Sequence, residues 1–262
     1  MPLPLTPPEV VERLRAAGCV FAEDEARLLV AATTTTTPAE LADLLTRRVA
    51  GLPLEQLLGW ADFCGLRITV RPGVFVPRRP TELLVRRAAR LAAPGSVVLD
   101  VCCGSGAVGA ALLASENSLQ VYAVDIDPAA TACARENLED RGGQVFTGDL
   151  FSPLPRSLLG RVDVIVANAP YVPTDAIARM PPEARVHEAR VALDGGAEGL
   201  EVQRRVVRAA PEWLVPGGHL LVETSAGQAP QTAAIFAGHG LTPRVAHSRA
   251  LDATVVIGTS PA

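Results

Sequence analysis

The sequence predicts an α/β protein, a doubly wound and largely parallel sheet behind a small helical N-terminal part. Three observations carry that prediction. From about residue 80 onward, short apolar runs alternate with helical stretches; the first third shows helical periodicity with no such runs; and 48% of the 262 residues are apolar, enough for a real core.

In chain order, "TPPEVVERLRAAG" (6–18) and "TPAELADLLTRRVAG" (37–51) each open on Thr, Pro and a Glu three residues on, the pattern of a capping box with Pro in the first turn, and each ends at a Gly. Between them "EDEARLLVAA" is amphipathic, and Thr33 to Thr37 form a polar connector whose last member caps the next helix. Residues 60–76, "WADFCGLRITVRPGVFV", alternate and contain Arg71-Pro72-Gly73, which suggests a hairpin. The expected organisation is therefore a helical part over 1–58, a hairpin linker over 59–79 and the α/β part over 80–262. In the last, "SVVLDV", "LQVYAVD", "QVFTGD", "VDVIVAN", "GHLLVETS" and "ATVVIGTS" read as strands. Residues 172 to about 198 lack a period of their own, so they are either a lid or binding loop or a disordered stretch.

Composition narrows the chemistry. All 24 basic residues are Arg, so Schiff-base and P-loop lysine mechanisms are excluded. The net charge of −4 gives no basic field of the kind that neutralises a phosphate backbone, and no direct nucleic-acid binding is expected. Five cysteines, Cys19, Cys64, Cys102, Cys103 and Cys133, have neither C-x-x-C nor metal-type spacing, which fits a reducing cytoplasm and no metal site. With no basic-plus-apolar leader and no apolar run of spanning length, neither export nor membrane insertion is expected.

Ligands of doubly wound sheets sit beyond the carboxyl ends of the strands. There "DVCCGSGAVG" supplies G-x-G-x-x-G at Gly104, Gly106 and Gly109, with Asp125 closing the next strand. Alone, that pattern fits NAD. Asp100 discriminates: a carboxylate there would repel a pyrophosphate but suits the ammonium and sulfonium of S-adenosylmethionine, the favoured cofactor. The candidate cofactor set is Asp100, Cys102, Gly104, Gly106, Asp125, Ile126, Asp149, Leu150 and Asn168, with Asp125 assigned to the ribose hydroxyls. Asp149 either accepts from the adenine amino group or is a turn or cap aspartate, and Asp127 before Pro128 is a helix cap.

"VIVANAPYVP" (164–173) ends a strand in Asn168, Ala169, Pro170 and Tyr171, where a simple turn would use Gly, Asp or Ser. The Asn168 side-chain carbonyl and the Ala169 backbone carbonyl can accept the two N–H groups of a substrate amine or amide, and Tyr171 can stack on a planar group. These four are the candidate catalytic residues.

At this motif the chain resembles the protein-(glutamine-N5) methyltransferases of the PrmC/HemK type, whose hallmark is Asn-Pro-Pro-Tyr. "RRVAGLPLEQLLGWADFCGLRITVRPGVFVPRRPTELLV", "EARVHEARVALDGGAEGLEVQRRVV" and "LVPGGHLLVETSAGQ" are similar to further segments of that family. The resemblance implies a Rossmann-like, seven-stranded class I methyltransferase fold behind a helical substrate-recognition domain, with a glutamine side-chain amide as acceptor and S-adenosylhomocysteine as by-product. A peptide release factor or a ribosomal protein is then the expected substrate. Two departures stand out. Ala169 replaces the first Pro, and Pro77-Arg78-Arg79-Pro80-Thr81-Glu82 stands where the family has Pro-Arg-Pro-Glu-Thr-Glu. Glu183, Arg185, His187 and Glu188 form a charged run expected to face solvent, and Gly142-Gly143-Gln144 is an ordinary helix end. Two rival readings are an adenine or cytosine amino-methyltransferase, favoured by an arginine patch at 78, 79, 86 and 87, and a non-catalytic S-adenosylmethionine-binding partner module.

Overall fold

The computed structural model describes residues 6–32 and 38–262. The threonine connector 33–37, with its expected cap Thr37, lies outside the described residues. Four helices come first: α1 (Pro7–Ala16), α2 (Ala22–Ala32), α3 (Pro38–Val49) and the short α4 (Leu54–Leu58). The capping box of α1 is formed, with Thr6 N–H donating to Glu9 Oε2 at 2.7 Å. Val10 and Leu14 of α1 interlock with Ala26 and Leu29 of α2 and Leu41 and Leu45 of α3 in a core of their own. The i, i+3, i+4 spacing of these apolar residues puts them on one face of each helix.

A hairpin follows, β1 (Trp60–Phe63) and β2 (Leu66–Thr69), paired antiparallel. Its turn is Cys64-Gly65, both left-handed at φ 51° and 76°, the geometry that a two-residue hairpin loop needs. Arg71-Pro72-Gly73, expected to make that turn, instead forms the next bend, where Val74 N–H donates to Arg71 O and Gly73 pairs with Glu188 of the distant 172–198 segment.

The α/β part runs α5 (Glu82–Ala88), β3 (Val97–Val101), α6 (Ala107–Ser115), β4 (Gln120–Asp125), α7 (Pro128–Leu138), β5 (Gln144–Thr147), β6 (Val162–Ala167), α8 (Pro182–His187), α9 (Glu201–Trp213), β7 (Leu214–Thr224), α10 (Ala229–Gly238), β8 (Thr242–Ser248) and β9 (Ala253–Thr259). Seven strands form one sheet in the order β5-β4-β3-β6-β7-β9-β8, with β9 running against the others. Strand residues alternate between two cores. Val98, Val164 and Val166 face α5 and α6, whereas Leu99, Ile165 and Ala167 face α9 and α10. Burial on both faces explains why these strands read as unbroken apolar runs.

The chain winds outward from β3 to β5 and then returns to β6 on the other side of β3. The strand order therefore reverses between β3 and β6, which opens a crevice beyond their carboxyl ends. Residues 172–198, expected to be a lid or disordered, form short helical turns around α8. They are tied down by Val172 N–H to Leu193 O at 3.1 Å and by Ala189 N–H to Gly73 O at 3.2 Å.

Candidate active site

The crevice holds a cavity of about 430 Å³. Its walls bring together Asp100, Cys102, Gly104, Asp125, Ile126, Asp149 and Leu150 on one side and Asn168, Ala169, Pro170 and Tyr171 on the other. Gly106 of the expected set does not reach the wall. It is the left-handed cap of α6 at φ 76°, and a Cβ there would lie 2.9 Å from Leu138 Cδ1 and 3.1 Å from Ala134 Cβ, so this glycine serves helix packing. At Gly104, also left-handed at φ 54°, a Cβ would meet nothing within 4 Å, and the open space faces the cavity.

Asp100, the penultimate residue of β3, is 2% exposed. Its Oδ2 accepts the Gly109 N–H at 3.1 Å. Burial pushes its carboxyl up to about 7; the Gly109 hydrogen bond opposes that rise, and the nearby Asp125 charge adds to it. Asp125, at the end of β4, accepts from Gly104 N–H at 2.9 Å and from Asp127 N–H at 3.0 Å, one on each oxygen. Burial raises this carboxyl as well, with both hydrogen bonds opposing. Asp127 is the cap expected of it, accepting from Ala129 N–H at 2.9 Å. Ile126 is half exposed, an apolar flank beside Asp125. Asp149 is ion-paired to Arg205 at 2.5 Å, a partner 56 residues away that spacing gives no hint of.

The opposite wall is held by its backbone. Asn168 Nδ2 donates to Thr81 Oγ1 at 3.2 Å, and no group among the described residues donates to the Ala169 carbonyl. Burial, with the Glu223 charge behind it, lifts the Tyr171 hydroxyl to about 12, so the phenol stays neutral. Gln228 Nε2 donates to Tyr171 O at 3.0 Å and to Glu198 O at 3.1 Å. The glycine loop after residue 194 packs directly on this backbone: a Cβ at Gly195 would lie 2.6 Å from Pro170 O, and one at Gly199 would lie 2.3 Å from Tyr171 O.

The charged run at 183–188 does not behave as a solvated face. Glu188 is buried, bonded to Arg78 Nη2 at 2.5 Å and to Val76 N–H at 3.2 Å, and it lines the cavity. Glu183 reaches Arg48 of α3 at 2.6 Å, and Arg48 also binds Glu25 of α2 at 2.7 Å. Only Arg185 of this run is exposed as expected; His187 is half-buried, and its carbonyl accepts from Gln56 Nε2 at 3.3 Å. Phe75, Thr81 and Val202 also line the wall, and none of them was among the site residues expected from the sequence.

This donor set suits S-adenosylmethionine. A buried carboxyl with one oxygen uncommitted stands where a cationic amine or sulfonium would sit, a glycine leaves room for close approach, and Asp125 can still accept from hydroxyls, since each carboxylate oxygen has a second lone pair.

Comparison with known proteins agrees. Residues 65–198 match the family model described as the methyltransferase small domain. A release factor glutamine methyltransferase of Geobacter sulfurreducens is 43% identical over 208 residues, covering 78% of this chain and 72% of that protein. One from Cereibacter sphaeroides is 35% identical over 251 residues, 88% of each chain. Among solved structures, a methyltransferase from Pyrococcus furiosus superposes with a TM-score of 0.59 at 17% identity, covering 84% of this chain and all (100%) of that one, a likeness of fold. Likeness over this much of the chain, joined to the sheet order and the cavity, makes S-adenosylmethionine its methyl donor and the chain a member of the protein-(glutamine-N5) methyltransferase family of the PrmC/HemK type.

Proposed function

We propose that the protein methylates the side-chain amide nitrogen of a glutamine in a protein substrate, a peptide release factor first and a ribosomal protein as the alternative. The observation that carries this reading is the meeting of Asn168, Ala169, Pro170 and Tyr171 with Asp100, Gly104 and Asp125 around one cavity. In this reading Asn168 Oδ1 and the Ala169 carbonyl each accept one N–H of the substrate amide, which fixes the nitrogen lone pair toward the methyl group. The ring of Tyr171 flanks the planar amide and stays neutral beside it. S-adenosylmethionine supplies an electrophilic methyl group. One C–N bond forms as the methyl–sulfur bond breaks, the amide nitrogen gives up one proton to water, and the products are N5-methylglutamine and S-adenosylhomocysteine. Asp100 would face the cationic end of the cofactor and Asp125 the ribose hydroxyls, and Cys102, Gly104, Ile126, Asp149 and Leu150, which line the same cavity, would border the remainder.

Residues 1–58 are assigned to substrate recognition, 59–79 to the hairpin link and 80–262 to catalysis, in the cytoplasm. The Arg48–Glu183 contact between α3 and α8 supports that division of labour, since it joins the helical part to the segment bordering the cavity. The nucleic-acid alternative loses its main support because two of the four arginines of its patch are engaged, Arg78 by Glu188 and Arg86 by Glu82. Among the described residues no helix is long and apolar enough to cross a membrane.

The test is incubation with isotope-labelled S-adenosylmethionine and either a purified unmethylated release factor or a hypomethylated extract, followed by peptide mass analysis. Label on a glutamine side chain is expected, and label on nucleic acid overturns the reading. Asn168→Ala should abolish transfer while leaving cofactor affinity within about twofold.

A further inference from the structure

An asparagine amide swung through half a turn exchanges one acceptor for two donors, so Asn168 can receive an N–H only if something fixes which end faces the cavity. The groups behind it do so. Thr81 is 3% exposed, and its Oγ1 lies 3.2 Å from Asn168 Nδ2. Beside Thr81 is Glu223 of β7, 4% exposed, near enough that the Thr81 hydroxyl, turned toward it, opposes the rise that burial gives its carboxyl. Glu223 Oε2 has no hydrogen-bond partner among the described residues.

A hydroxyl carries a single proton, and an ionised carboxylate can only accept. Thr81 must then spend its proton on Glu223 and turn a lone pair toward Asn168. That lone pair demands the NH2 end of Asn168, which leaves Oδ1 facing the cavity. We propose that Glu223 and Thr81 are positioning residues for methyl transfer, a one-way hydrogen-bond relay that sets the Asn168 carbonyl as the acceptor for the substrate amide. The proposal rests on the glutamine-amide reading above. Stability does not explain the carboxyl: a buried acid with an unmet oxygen costs free energy that an apolar residue at this sheet position would not. Val222 and Thr224 on either side are buried without any such charge.

The test compares Thr81→Val, Thr81→Ser and Glu223→Gln with the wild type at about pH 8, above the value of about 7 to which burial lifts Glu223, so that the carboxyl is ionised. Glu223→Gln is isosteric but can present its NH2 to Thr81, which turns the Thr81 proton onto Asn168 and reverses the relay. Thr81→Val and Glu223→Gln should each lower kcat on the glutamine substrate by roughly 10–100-fold with the cofactor Kd within about twofold, while Thr81→Ser stays within about threefold of wild type. Glu223→Gln should also leave Tm equal or higher, an outcome that a merely structural role does not give. Full kcat in Thr81→Val, with an active wild type, overturns the relay and leaves the glutamine reading intact. Should the wild type label no glutamine, that reading falls, and the relay is decided by the 15N-detected side-chain amide of Asn168, identified by its loss in Asn168→Ala. Slow NH2 exchange in wild type that becomes fast in Thr81→Val supports the relay. Equally fast exchange in both overturns it.

Discussion

In its proposed cofactor role Asp100 should make S-adenosylmethionine binding depend on pH, in a direction and by an amount that follow from its burial. Its carboxyl is lifted to about 7, first by desolvation and then by the Asp125 charge, with the Gly109 N–H pulling the other way. A cationic cofactor is attracted to the ionised form, so in the protein without cofactor about one tenth of the molecules carry the binding form at pH 6 and about nine tenths at pH 8. The Kd for S-adenosylmethionine should therefore be about tenfold weaker at pH 6 than at pH 8, or about 1.4 kcal/mol. The folding counterpart has the opposite sign. Because the folded carboxyl lies above its ordinary value, the stability it contributes is present below about pH 4 and is lost as pH rises through about 7. Asp100→Asn should gain Tm relative to wild type between pH 5 and 8 in the absence of cofactor, while its own Kd is weak and nearly flat with pH. Calorimetric titration at several pH values is the assay. A flat Kd in wild type, or a slope preserved in Asp100→Asn, refutes the assignment.

Three further outcomes are expected. Asp125→Ala should weaken cofactor binding by roughly 100-fold by titration, because it removes the hydroxyl acceptor together with the partner of Gly104 N–H and Asp127 N–H. Gly199→Ala should lose at least about 2 kcal/mol of stability in denaturant titrations: its Cβ would be driven to 2.3 Å from Tyr171 O at a left-handed φ of 73°. Arg48→Met should raise KM for the protein substrate with an unchanged cofactor Kd, and hydrogen exchange over residues 182–188 should quicken, since Arg48 is the link from α2 and α3 to Glu183.

The parallel strands were legible because burial on both faces turns β3, β4 and β6 into apolar runs, and the motif at 168–171 was legible because it breaks the rules for a plain turn. Strand β8 was not. It lies at the sheet edge with Arg244 and His247 exposed, so "TPRVAHS" carries no run and only a weak alternation. The hairpin turn hid because Cys64 takes the left-handed conformation normally given to Asn or Gly. Glu188 was read as solvated because local spacing cannot reveal Arg78, 110 residues earlier, as its partner. For the same reason Thr81 and Glu223, though they fall in segments similar to the family, gave no hint of a role: what they do depends on Asn168, 87 residues from Thr81.

The charges around the cavity also bear on what can enter it. Asp100, Asp125, Glu188 and Glu223 stand on or behind its walls, and of the arginines that line it, Arg78 is paired to Glu188 and Arg205 to Asp149. The local field is therefore acidic, which attracts a sulfonium and repels a phosphate backbone. A flipped nucleotide would have to bring its phosphates toward that field with no free cation among the described wall residues to receive them. A glutamine side chain brings no charge at all, and its amide needs only the two carbonyl acceptors of Asn168 and Ala169. Turnover of a glutamine substrate should consequently change little between low and moderate salt, whereas polynucleotide chemistry in the same cavity would fall steeply with added salt. A steep loss of activity with salt would redirect the assignment from an amide to a base.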